Sequence, residues 1–343
     1  MQVSNMQVTN SSTTLRSAAF APSNIALTKY WGKRDARLNL PLAPSLSVAL
    51  AELGSLTIVQ PAADLVEDVM LVDDKPLDDA GMVKLRRVLD IIRQKSGSTL
   101  YAGLRSVNTV PAARGLASSA SAFAALALAA SHAYGLQLSP QELSVLARTG
   151  SGSASRSTAG GFALWHQGQA EDGSDSFAEQ ILPPEHWPLR LLIARVCDER
   201  KAVSSTRGMA QADTKSLLFA AWIDQCQRDV VDCRAALEAK NMRKLADIVE
   251  GNALAMHATM MAARPPLLYW RPATIAVMHT VRQLRSEGAD CCFTIDAGSS
   301  VVVLVEPQDA RPVADALAAI DGIEEVIQTR IGGGARLLPG GQD

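Results

Sequence analysis

The segment Pro111-Ala-Ala-Arg-Gly115-Leu-Ala-Ser118-Ser119-Ala120-Ser121 constrains this chain more than any other, because a glycine/serine turn runs straight into an Ala-rich apolar stretch. A helix is expected from near Ser118 to about Tyr134, stopped by Gly135 just past its end. Gly115 permits an unusual backbone conformation, and the first-turn N–H groups of such a helix have no internal partners. Ser118, Ser119 and Ser121 add hydroxyl donors where the helix dipole favours an anion. The same pattern also describes an ordinary serine-capped helix. It lacks the Gly-Lys-Ser/Thr ending of a P-loop, and neither a P-loop nor G-x-G-x-x-G occurs elsewhere.

Around this segment the apolar pattern alternates between strand and helix periods. Strands are expected at 56–59, 69–72, 161–165 and 189–196, and a helix at 84–94. Ser139-Pro140-Gln141-Glu142 has the form of a capping box with proline in the first turn, opening a helix that ends near Gly150. Helical periodicity then covers 213–239, 242–262 and 273–286, followed by strands at 291–295 and 301–305 joined by a tight Asp-Ala-Gly-Ser-Ser turn. The pattern predicts an α+β fold of two lobes with no internal repeat. The expected division is a flexible polar tail at 1–17, an N-terminal domain at 18–195 and a C-terminal domain at 196–343.

Composition narrows the function classes. The chain has 343 residues and a formal charge of −2, so no global positive field attracts nucleic acid or an anionic membrane surface. Aromatics make up 4% of residues, too few for base-stacking platforms. No apolar run approaches the ~20 residues needed to span a bilayer, and residues 1–17 do not read as a signal peptide. The five cysteines, Cys197, Cys226, Cys233, Cys291 and Cys292, form no C-x-x-C and have no histidine at ligand spacing. Adjacent Cys291 and Cys292 read as packing residues on a strand, which favours a reducing, cytoplasmic setting. Any anion site must therefore be local.

Three further segments carry candidate chemistry. Residues 21–35 gather Lys29, Lys33 and Arg34 with Tyr30 and Trp31; Lys33 and Arg34 can meet a polyanion and Tyr30 can donate a hydroxyl, while Trp31 reads as a core residue on a strand edge. Gly150-Ser151-Gly152-Ser153-Ala154-Ser155-Arg156-Ser157 lets backbone approach a ligand, with the Arg156 fork beside Ser151 and Ser153. Flexible linkers have similar composition, but a capped helix and a strand flank this run. Asp296, before Ala297-Gly298, is either ordinary turn chemistry or a base. The histidines His132, His166, His186, His257 and His279 are scattered, with no H-E-x-x-H and no nucleophile elbow.

Taken in order, Asn24-Ile-Ala-Leu-x-Lys-Tyr-Trp-Gly-Lys-Arg-Asp, Gly115-Leu-Ala-Ser-Ser-Ala, Gly150-Ser-Gly-Ser-Ala-x-Arg-Ser, Val203-Ser-Ser-Thr-x-Gly-Met and Asp296-Ala-Gly resemble the diphosphomevalonate decarboxylase family of the GHMP small-molecule kinase superfamily. The resemblance implies an N-terminal ATP-binding lobe like ribosomal protein S5 domain 2, a ferredoxin-like C-terminal lobe, and a cleft between them. It implies Asp296, Lys33 and Arg156 as catalytic residues, and Tyr30, Lys33, Ser151, Ser153, Arg156, Ser205 and Met209 as the substrate lining. Asn108, Gly115, Leu116, Ala117, Ser118, Ser119 and Ser121 would face ATP. Mg2+ would come with ATP, through Ser118 or Ser119, rather than at a protein-only metal site. A small anionic molecule as partner and a homodimer are also implied, and the run Ile331-Gly-Gly-Gly-Ala335 resembles the weaker third motif of the superfamily. Departures are Ser299-Ser300 where the family usually has Pro-Asn after Asp-Ala-Gly, and Ser106-Val-Asn108 in place of a commoner Ser-Glu-Asn. Where some members place an arginine near the start of an early helix, Lys84 stands.

The implied reaction is ATP-dependent decarboxylation of 5-diphosphomevalonate to isopentenyl diphosphate. Carbon 3 of the acid offers no electron sink, and phosphorylation of its hydroxyl supplies a leaving group. Use of the 5-phosphate, arrest as a mevalonate 3-kinase, and a non-catalytic metabolite sensor on the same fold are the alternatives at this level.

Overall fold

The computed structural model describes residues 15–109, 118–196 and 203–339. The first lobe is built on a sheet whose central pair is Ser17–Thr28 against Ser45–Ala62, antiparallel and almost wholly buried. Tyr101–Asn108, Val69–Val72 and Lys75–Pro76 continue one side of the sheet. The near end of the long strand pairs instead with Phe162–Trp165, which pairs in turn with Ala178–Leu182. The ladder between the central strands breaks between Pro22 and Asn24, opposite residues 50–53. Proline has no N–H to give a ladder, and such irregularities re-aim side chains beside functional sites; the residue re-aimed is Asn24. Ser17 is buried and pairs with Val59, and Leu15 N–H donates to the Ala133 carbonyl at 3.2 Å, so the last residues of the expected tail belong to the first lobe; residues 1–14 lie outside the described ones.

Helices Asp79–Ser96, Ser118–Ala133 and Pro140–Gly150 cover one face of this sheet around a single core. Ser118–Ala133 is apolar on nearly every side, and such a helix belongs inside a core; it packs against both central strands and the helices beside it. Gly135, at φ 77°, ends it, and Leu136 N–H reaches back to the Ser131 carbonyl. The Ser139–Glu142 capping box forms as expected, with both reciprocal bonds present.

The second lobe is a four-stranded antiparallel sheet ordered Cys291–Thr294, Val301–Val305, Arg190–Val196, Ile323–Arg330. In chain order this is the ferredoxin-like arrangement, its first crossover enlarged, among the described residues, to four helices: Ser205–Lys215, Phe219–Glu238, Met242–Met261 and Pro272–Ser286. The helical pattern expected over 213–239 is thus two helices, broken at 216–218. The expected division after Arg195 falls inside Arg190–Val196, whose pairing is entirely with the second sheet. The chain finally returns to the first lobe: Arg336–Leu337 pairs with Phe20 and Ala19 at the edge of the first sheet. The glycine run before it lies backbone to backbone on residues 158–161, where a Cβ on Gly160 would sit 2.3 Å from Gly334 N.

The lobes share an apolar interface, in which Ile25, Leu27, Leu46 and Val48 meet Leu191, Ile193, Val302 and Leu304. Cys292 faces this interface and Cys291 the opposite core, the packing roles expected of alternate strand positions. Burial pushes the Cys291 thiol up to about 11. No helix among the described residues is long and apolar enough to cross a membrane.

Candidate active site

The strand Ser17–Thr28 ends where the two lobes meet, and the next residue, Lys29, is carried into the second lobe. Its ammonium lies 2.6 Å from Asp296 Oδ1 and also donates to the Ala26 carbonyl at 2.9 Å. The Lys29 side chain is 1% exposed and that of Asp296 36%, so the pair spans from the protein interior to the cleft. Burial pulls the Lys29 ammonium below its ordinary range, with Asp296 opposing and Arg156 adding to the depression. Asp296 sits in the turn after Cys291–Thr294, closed by Gly298 N–H donating to the Asp296 carbonyl at 2.7 Å. The Ser299 carbonyl accepts from Thr274 Oγ1 at 2.7 Å, so the departure at Ser299 is held by the neighbouring helix.

The 150–157 run is ordered: it leads from helix Pro140–Gly150 into the short helix Ala154–Thr158. Arg156 is buried, with Nε donating to Asn24 Oδ1 at 3.0 Å and Nη1 to Ser45 Oγ at 2.7 Å. No carboxylate makes a salt bridge with it among the described residues. Burial pulls its guanidinium down to about 10, against the pull of Asp296 and Tyr30. Asn24 in turn donates to the Ser153 carbonyl and to Ser157 Oγ, fixing this helix against the bulged strand. Tyr30 stacks edge-on to Trp165 at 4.7 Å, its buried hydroxyl has no hydrogen-bond partner among the described residues, and desolvation raises that phenol well above its usual range. Gly152 makes room for it: a Cβ there would lie 2.5 Å from the Tyr30 hydroxyl.

Lys33, expected among the catalytic and substrate-binding residues, is not the lysine that pairs with Asp296. It lies in the short strand Lys33–Asp35 and donates to Asn39 Oδ1 at 2.6 Å. Its ammonium is depressed by burial first, then by the charges of Lys84 and Arg87, so three cations gather with no carboxylate paired to Lys33 among the described residues. Lys84 and Arg87 belong to helix Asp79–Ser96, which sets them one turn apart on one side.

The expected ATP side is partly outside the described residues, since Gly115, Leu116 and Ala117 and the Ser118 side chain lie there. Ser119 is exposed at the helix start, with its hydroxyl 3.3 Å from Ser151 Oγ, which links the two serine segments. Ser121 turns inward: it is fully buried against Ser23 Oγ and Ser55 Oγ, at 3.3 and 2.8 Å, because it falls on the sheet-facing side of the helix. Asn108 is engaged by Asp73, through N–H and Nδ2, and accepts from Ser55. Both are thus parts of the frame rather than free donors. Ser205 opens helix Ser205–Lys215 behind the cap Ser204, and Met209 packs with Trp31 and Phe219 in the apolar wall below it. Among the described residues no group of three His, Cys, Asp or Glu could hold a metal.

Sequence reading passed over Lys29, Asn24, Arg87 and His257. The first two stood inside a quoted motif but were outweighed by Lys33, because only the fold shows which lysine turns inward. His257 was dismissed as scattered; its Nε2 lies 3.2 Å from the Asp296 carbonyl.

The arrangement is a lysine–carboxylate pair at a lobe junction, running from the interior to the cleft, with buried Arg156 acting on both charges, a geometry able to receive an acidic molecule. Comparison with known proteins agrees. The family model described as diphosphomevalonate decarboxylase-like N-terminal domain matches residues 21–178, and that of the mevalonate 5-diphosphate decarboxylase C-terminal domain matches 191–337. The diphosphomevalonate decarboxylase of Aspergillus fumigatus is 37% identical over 336 residues, spanning 92% of this chain and 83% of that protein. The crystal structure of mevalonate diphosphate decarboxylase from Staphylococcus aureus superposes with a TM-score of 0.88 at 36% identity, covering 94% of this chain and 98% of that one. A structure described as MDDEF in complex with MVAPP, AMPPCP and magnesium gives 0.87 at 38%, covering 94% and 99%. Two matched domain models that between them hold every motif of the cleft, and relatives alike along nearly their whole length, place this chain in the diphosphomevalonate decarboxylase family.

Proposed function

We propose that the chain catalyses ATP-dependent decarboxylation of mevalonate 5-diphosphate to isopentenyl diphosphate, carbon dioxide, ADP and phosphate. The observation that carries this reading is the Lys29–Asp296 pair with buried Arg156 acting on both charges, a guanidinium that makes no salt bridge with a carboxylate among the described residues. Asp296 accepts the hydrogen of the substrate 3-hydroxyl and orients its oxygen, while Lys29 holds the carboxylate in place. Lys33, Lys84 and Arg87 take the diphosphate end, and Tyr30, Ser151, Ser153 and Arg156 hold the acid. Arg156 suits the carboxylate because its fork is fixed by Asn24 and Ser45 before substrate arrives. Ser205 and Met209 close the wall of this pocket.

Ser118, Ser119 and the 115–117 loop hold the ATP phosphates. Exposed Ser119 at a helix N-terminus fits a phosphate, and ATP with Mg2+ supplies the phosphoryl group that turns the 3-hydroxyl into a leaving group. A structure of a relative complexed with MVAPP, AMPPCP and magnesium supports this pairing of ligands. The described cysteines are free and buried, in keeping with a cytoplasmic enzyme, and a homodimer is proposed with it from the family resemblance.

Purified protein with Mg-ATP and each of mevalonate, its 5-phosphate and its 5-diphosphate tests the reading. ADP, carbon dioxide and phosphate are expected in equal amounts with the diphosphate. ADP without carbon dioxide makes the chain a 3-kinase, and turnover on the monophosphate alone changes the substrate.

A further inference from the structure

The Lys29–Asp296 pair joins two lobes, yet neither residue lies within a regular element that holds it: Lys29 follows its strand and Asp296 sits in a turn. Both are tied to one helix, Met242–Met261. Asn252 Oδ1 accepts the backbone N–H of Lys29 at 2.8 Å, and His257 Nε2 meets the Asp296 carbonyl at 3.2 Å. A carbonyl can only accept, so His257 carries its hydrogen on Nε2. Each holding residue is itself held. Asn252 Nδ2 donates to Asp229 Oδ2 at 2.7 Å, and Gln225 Nε2 donates to Asp229 Oδ1 at 2.6 Å, so the amide cannot flip without placing its oxygen against a carboxylate. His257 is buried between Tyr269 and Trp270, with ring centroids 6.4 and 4.8 Å away.

We propose that Asn252 and His257 are positioning residues that set the Lys29–Asp296 distance across the lobe junction, with helix Met242–Met261 as their common base. This rests on the reading of Asp296 and Lys29 as the reacting pair. The Lys29 N–H lies past the last paired residue of the ladder, and the Asp296 carbonyl accepts the tight turn bond from Gly298, so the helix adds a constraint to each. A cross-lobe bond from Thr294 Oγ1 to the Ala26 carbonyl, which Lys29 Nζ also meets, leaves the strands joined when either residue is changed. The neutral imidazole fits the role: burial, and then the Lys29 charge, pull its pKa down to about 4. A second cation beside Lys29 is thereby avoided at neutral pH.

The test is steady-state ADP release by His257→Phe, His257→Gln and Asn252→Ala, with thermal melting of each. Phenylalanine keeps the ring contacts and removes the donor; glutamine returns a donor near the Nε2 position. Expected is a kcat about tenfold lower for His257→Phe and Asn252→Ala, the loss of one aligned hydrogen bond in the transition state, with KM for the acid within about twofold. His257→Gln should recover most of the kcat. Folded variants with wild-type kcat, a change confined to KM, or no recovery by glutamine overturn the proposal. Should His257→Phe not fold, Asn252→Ala and the kcat of His257→Gln decide it alone. Wild-type protein without ADP release overturns the reading of the site and this inference together, whereas active wild type with unchanged variants overturns the inference only.

Discussion

Replacing Lys29 with methionine separates what the buried ammonium does for the reaction from what it does for stability. The side chain is 1% exposed and its first electrostatic influence is the loss of water, which opposes its charge. Removing one partner of a buried pair typically costs about 3–5 kcal/mol because the other charge is stranded. Asp296, however, is 36% exposed and can be solvated, and the Ala26 carbonyl keeps the Thr294 hydroxyl. The stranding cost therefore largely disappears, and methionine fills the space of the lysine stem. Expected is a stability change within about 1 kcal/mol, or less than about 4 °C in Tm. Turnover should fall about 100-fold, near 2.7 kcal/mol, because Asp296 loses the contact that orients it. Coupled ADP release and thermal unfolding of the same preparation measure both. A Tm lower by more than about 10 °C, or a kcat within threefold of wild type, would refute the reasoning.

Arg156→Gln should raise KM for the acid and lower turnover about 100-fold with ATP affinity nearly unchanged, since a neutral amide replaces a five-donor fork; Arg156→Lys should fall between. An effect on ATP affinity alone would move Arg156 to the nucleotide side. Gly152→Ala places a Cβ 2.5 Å from the Tyr30 hydroxyl, so KM for the acid should rise severalfold, checked by steady-state kinetics. His257, neutral in the fold with a pKa of about 4 against about 6.5 when unfolded, binds fewer protons folded than unfolded between those values. Stability should thus be lost as pH falls from about 6.5 to about 4, by up to about 3 kcal/mol. Urea unfolding across that range should show the slope, and His257→Gln should flatten it.

The local chemistry of this chain was written in its sequence, because short-range physics decides it. Ser139 and Glu142 form their capping box, Gly135 ends its helix, and the Cys291–Thr294 and Val301–Val305 hairpin closes at the Asp296 turn. The family motifs, in order along the chain, likewise named the family that the two domain models match. What only the tertiary structure decided is which of those residues meet. Lys29 and Lys33 are indistinguishable as residues in one basic segment. The end of a strand at Thr28 sends the first under the second lobe to Asp296, while the short strand Lys33–Asp35 holds the second beside Lys84 and Arg87. Ser119 and Ser121 are two serines of one turn, and helix geometry exposes one and buries the other against Ser55. Asn252 and His257 carry no motif at all: their contacts to Lys29 and Asp296 span 223 and 39 residues of sequence, and only packing brings such separations to hydrogen-bond distance.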